Sequence, residues 1–270
     1  MKASMAQGKQ VLDLLSSATQ EEVQNLIQNG DLVKRMMQAD LSKVDRQAFA
    51  AFLTPPPRTE SDLFVPVGAA FHRFAERARV REWFSEVEIM QLHEELTERN
   101  LWDFESTLAG AFSFDIWLGD LQRTIDELVL WAKDVNLGFS HWPDFYSDDK
   151  HLRLLDMVAN KYGKTSSVKP TNIDLLANQG KAPRAARANN LAGLEILAAI
   201  AMHPVFPLHN SRETEISFWL GSLEMTVRGR KPWECLPILY WDKASHNVCL
   251  GAAWDDNGDQ DCTVPVSRKL

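Results

Sequence analysis

Beyond Pro204 the spacing of apolar residues changes from helical to two, and this switch limits the folds open to the chain. Upstream, "AARANNLAGLEILAAIAMHP" (185–204) is rich in Ala and Leu with little polar face, which predicts a largely buried helix. Downstream lie four strand-like runs separated by turn chemistry: "EISFWLGSLEMTV", "CLPILYWD", "NVCLGAAW" and "CTVPVSR". Together they predict an α+β chain whose residues 185–270 form an antiparallel β region after one helix.

The rest of the chain reads as mainly helical. Residues 1–54 are expected to form a helical N-terminal segment. Thr19 and Glu22 fit a capping box, Gly30 a stop, and Leu32, Val33, Met36, Met37, Val44, Ala48, Phe49 and Phe52 keep helical spacing. "TPPPRTESD" (54–62) then breaks the pattern, because three prolines remove donors and fix φ, so a domain boundary is expected there. Residues 63–184 form the middle region. "LFVPV" (63–67) reads as a short strand and "LGDLQRTIDELVLWAKD" as an amphipathic helix. Its buried face is Leu118, Leu121, Ile125, Leu128 and Trp131, with Asp120, Arg123 and Asp126 in water. "HLRLLDMVANKY" suggests a further short helix, and 163–184 a long loop.

Bulk properties exclude some functions. At 270 residues the chain can bury a core without staples. Its formal charge of −8 argues against a general nucleic-acid binder, whose phosphate contacts need a basic face. No apolar run has the length of a membrane span or a signal peptide, so a cytoplasmic location without membrane contact is expected. Cys235, Cys249 and Cys262 are an odd number in a long chain, which suits reduced structural thiols.

Few motifs carry chemistry. "KYGKTSS" has Val158 where a phosphate loop needs its first glycine, and "HEELTE" has Thr97 where a zinc helix needs its second histidine. His141, Asp144, Asp148, Asp149 and His151 could hold a hydrolytic metal or pair a base with its orienter, although Pro143 and the Ser-Asp-Asp run also suit a turn. Lys161, Lys164, Lys169, Lys181, Arg184 and Arg187 could hold a phosphate, or form a solvated loop. These two stretches define an alternative reading, a metal-dependent hydrolase or a protein acting on nucleic acid. The acids Asp255, Asp256, Asp259 and Asp261 fail as a calcium loop in both registers, since Gln260 or Asp261 stands where glycine is needed. Asn257-Gly258 is a hairpin signal between "NVCLGAAW" and "CTVPVSR". The expected result is an exposed C-terminal hairpin loop, with Trp254 packed inward beside Val248, Leu250 and Ala252.

"FWLG" (218–221) is similar to the strand motif of C-type lectin-like domains, and "WDD" followed by Cys262 resembles their tryptophan-acid-cysteine run. The order of buried helix, "WLG" strand, tryptophan-rich middle, polar loop and final strand also fits. More narrowly, residues 185–270 resemble the variable proteins of diversity-generating retroelements. That resemblance implies a non-enzymatic display protein whose last strands and loops bind diverse ligands. The residues it points to are Tyr240, Asp242, His246, Asn247, Trp254, Asp255, Asp256, Asn257, Asp259 and Gln260. No cofactor and no metal are implied, and the sugar-binding Glu-Pro-Asn motif is absent. The implied partner is a protein or small ligand at this C-terminal surface, with another chain engaging residues 1–54.

Overall fold

The computed structural model describes residues 62–136, 138–141, 152–188, 190–206, 216–227, 231, 233–242, 247–256 and 258–270. The chain divides into two compact units, Met1–Thr59 and Glu60–Leu270. The helices expected over 1–54 lie outside the described residues.

The second unit is α+β. Its first helix, α1 (Val67–Val80), starts after Pro66. The strand expected at 63–67 is therefore absent. Proline suits the entry to a helix, where backbone donors lack partners anyway. Ser85 caps α2 (Glu86–Glu98) through a capping box with Glu88. A 3-10 turn (Leu101–Asp103) then leads to β1 (Ala111–Trp117), all seven residues of which are buried. Helix α3 (Leu121–Val135) follows, capped by the Asp120 side chain on Arg123 N, and buries Ile125, Leu128 and Trp131 as its periodicity predicts. Leu118 is buried ahead of the helix, and Leu121 is only half-buried.

Three expectations for the middle region are corrected. "HLRLLDMVANKY" yields a strand, β3 (Leu152–Leu154), before the short helix α4 (Asp156–Ala159). The long loop contains β4 (Ser167–Asp174), the centre of an antiparallel sheet ordered β1-β4-β10. The strand β1 itself lies in a region read as helical. Its apolar Phe112, Phe114 and Ile116 alternate with Ser113 and Asp115, the period-two signal of a strand, and both faces are buried.

Helix α5 (Leu194–Met202) has all nine residues buried and packs on β1, α3 and α1. The four strand-like runs become six strands, because two of them break. "EISFWLGSLEMTV" gives β5 (Ser217–Trp219) and β6 (Leu223–Met225), while "CTVPVSR" gives β9 (Cys262–Thr263) and β10 (Val266–Arg268). The long β7 (Cys235–Asp242) and β8 (Asn247–Trp254) pair antiparallel over their full length. The second sheet runs β2-β8-β7-β5-β9, where β2 is Phe139–His141, and β6 joins β7 to β3.

The expected C-terminal hairpin does not form. Strand β8 pairs with β7 and β2, β9 pairs in parallel with β5, and β10 closes on β4. The last strand thus shares a sheet with β1 and β4 of the middle region. The three cysteines are buried free thiols, and Cys249 Sγ lies 2.9 Å from Ser140 Oγ.

Candidate functional site

The residues expected to bind ligand fall into two groups at opposite ends of the β7–β8 ladder. Asp242 stands opposite Asn247 at one end, and Cys235 opposite Trp254 at the other. Seven residues of strand separate these ends, about 23 Å. Along β7 the first five residues are buried, and Tyr240, Trp241 and Asp242 emerge half-buried, facing the half-buried Asn247. At the other end Trp254 is 44% exposed and does not pack inward as expected. His246 and Asn257 lie outside the described residues.

Asp255 is a structural residue and leaves the display set. It is buried, accepts from Arg187 Nη2 at 3.2 Å, and its backbone bonds Glu234 O and Arg184 N. Asp256, Asp259 and Gln260 are exposed, but the loop is clamped on residues 178–184. Gln179 Nε2 donates to Gln260 O, Gly180 N donates to Cys262 O, and a Cβ on Gly258 would sit 2.9 Å from Ala182 N. Glycine is needed here for close backbone approach.

The acidic loop and part of the basic stretch therefore pack on one another. Arg187 Nη2 bridges Glu224 Oε1 (2.9 Å) and Asp255, and Arg153 grips Glu224 Oε2 while lying 4.3 Å over the Trp233 ring. Both carboxylates are buried, so each needs such a cation. Arg184 Nε also lies 3.9 Å from Asp255 Oδ2. The lysines do not join them: Lys169 sits on β4, Lys181 donates to Asn178 Oδ1, and Lys164 is exposed. Of the 141–151 cluster, His141 ends β2; Asp144, Asp148, Asp149 and His151 lie outside the described residues. Among the described residues no group of three or more His, Cys, Asp or Glu could hold a metal ion.

Lys161 leads to a buried cluster of perturbed charges. Its Nζ lies 2.6 Å from Glu195 Oε1 and 2.7 Å from Asp115 Oδ2. Glu195 is fully buried on α5 and also accepts from Gly193 N and Ser267 Oγ. Tyr162 donates to Asp115 Oδ1 and stacks on Trp117 at 4.7 Å. Burial, then the neighbouring Glu195, pushes Asp115 up to about 6 against the pull of Lys161 and Tyr162. Burial raises Glu195, yet Lys161 outweighs it and holds the carboxyl below its usual range. Burial lowers Lys161, but Glu195 and Asp115 more than restore its charge. Only Lys161 reaches solvent appreciably, so a substrate would meet the ammonium and not the carboxylates behind it. The cluster is built to join β1, α5 and β10.

Sequence reading missed Asp115 and Glu195, although one signal was present. A glutamate inside "LEILAAIAM" must find a cation if that helix is buried. His203, next to α5, is also ordered by the core. Its Nδ1 accepts from Val65 N (3.1 Å) and its Nε2 donates to Phe112 O (2.8 Å), which only the neutral ring can do. Burial lowers it to about 4.

Comparison with protein-family models, curated proteins and solved structures gave no match.

Proposed function

We propose that the chain is a non-enzymatic ligand-binding protein that presents a variable surface on a C-type lectin-like frame, diversified by a retroelement. The observation that carries the reading is the β7–β8 ladder. A strand buried from Cys235 to Leu239 gives way at one end to half-buried Tyr240, Trp241 and Asp242, with Asn247 opposite. A rigid ladder that ends in aromatic and polar groups can present side chains in fixed positions, with Tyr240 and Trp241 seated on the edge of the core. The order of elements supports the same frame, with buried α5, the "WLG" strand β5, the paired β7 and β8, and a final strand that ends near the terminus. The binding set is then Tyr240, Asp242 and Asn247 at one end and Trp254, Asp256, Asp259 and Gln260 towards the other, with His246 and Asn257 added from the sequence.

The coding DNA tests this reading. A reverse-transcriptase gene nearby, with an imperfect copy of this gene's 3′ end differing at adenines, is the expected result. A locus with neither would refute retroelement diversification. A stoichiometric metal in the purified protein, lost on replacing His141 and His151, would favour the hydrolase reading instead.

A further inference from the structure

The segment before α1 and the turn after α2 line a cavity of about 670 Å³ that is open to solvent. That volume falls within the roughly 300–1,000 Å³ of small-molecule sites. Phe64, Pro66, Trp102 and Phe104 supply its apolar wall. The wall is fixed by packing that needs no ligand. Phe64 stacks on Phe206 at 5.2 Å, and the neighbouring Val65 N is held by His203. Trp102 meets Phe71 edge-on at 5.7 Å, and its Nε1 donates to Thr97 Oγ1. Phe104 lies against Phe112.

The polar side of the cavity has one sign. Asp103 and Glu105 line it and are exposed, and among the described residues no lysine, arginine or histidine lines it. Aromatic faces attract cations through their quadrupoles, and carboxylates do so through charge. An anion would be repelled, and a neutral ligand could gain hydrogen bonds from the two carboxylates but no charge attraction. We propose that this cavity binds a small organic cation, an alkylated ammonium carried on an apolar body. The cavity is formed by residues 64–107 and stands apart from the C-terminal surface, so the proposal does not depend on the display reading.

Titration calorimetry on the full chain tests it, with choline as the probe. The comparison ligand is the uncharged alcohol in which a tert-butyl group replaces the trimethylammonium. Choline should bind about tenfold more tightly than this isostere. The double variant Asp103→Asn/Glu105→Gln should weaken choline by about tenfold with its melting temperature kept, because both acids are exposed. Asp156→Asn, an exposed acid on α4 outside every site named above, should leave choline binding unchanged. Equal binding of the isostere, an unaffected double variant, or no choline binding at millimolar concentration would overturn the proposal. So would binding of a trimethyl-lysine peptide when choline does not bind, since the ligand would then be a partner's side chain.

Discussion

Replacing Lys161 with methionine should destabilise the second unit more than any other single surface-reachable change. The substitution keeps most of the stem and removes the cation between Asp115 and Glu195. Glu195 is fully buried, and Asp115 is 8% exposed. Gly193 N, Ser267 Oγ and Tyr162 Oη would still donate to the two carboxylates, but two negative charges would face each other in the core. Breaking a buried pair on one side costs about 3–5 kcal/mol. For a unit of this size that lowers Tm by about 6–20 °C. The loss should depend on pH. Without Lys161 the carboxyl pKa values rise above their unfolded values, so the folded state binds protons that the unfolded state has released. The variant therefore loses stability as pH rises through the unfolded carboxyl pKa, near 4, towards the raised folded values. Urea melts at pH 5 and pH 7.5 check this, with the larger loss expected at the higher pH. Glu195→Gln, which leaves Lys161 paired with Asp115, should cost only about 1–3 kcal/mol. A Lys161→Met loss below about 1 kcal/mol, or the same loss at both pH values, would refute the reasoning.

Asp255→Asn should cost about 1–3 kcal/mol by weakening the Arg187 contact, while Asp256→Asn stays within about 0.5 kcal/mol, both read from denaturant melts. Trp219→Ala, which empties a fully buried site, should cost about 3–5 kcal/mol, and Trp254→Ala far less, because that ring is 44% exposed. His203 contributes a pH dependence of its own. Its pKa is lowered to about 4, so between about pH 6.5 and 4 the unfolded chain binds a proton that the folded one refuses. Stability should fall as pH drops through that window, by up to about 3 kcal/mol, and His203→Gln should flatten the slope. Asp115, raised to about 6, works against this by destabilising the fold as pH rises from about 4 to 6, so the wild-type curve should peak above the His203 window only if the histidine dominates.

By itself the sequence determined the elements whose signal is local. The α3 stripe of Ile125, Leu128 and Trp131 was legible because spacing fixes which face of a helix is buried, and the α5, β7 and β8 runs because of their apolar content. Tertiary structure decided everything that depends on a distant partner. Strand β1 alternates Phe112, Phe114 and Ile116 with Ser113 and Asp115, but only the fold buries those polar residues too, and "SVKPTNID" is a poor strand until β1 and β10 pair with its two edges. The C-terminal runs look like a hairpin, yet each finds a better edge elsewhere, so Asn257-Gly258 does not set the topology. The charged residues follow the same rule. Asp255 and Asp256 are indistinguishable in the chain, and only the approach of Arg187 makes the first a core residue and leaves the second on the surface. Glu195 announced its need for a cation, but the fold alone brought Lys161 to it, because nothing local links two residues whose strands and helix meet only after the core has closed.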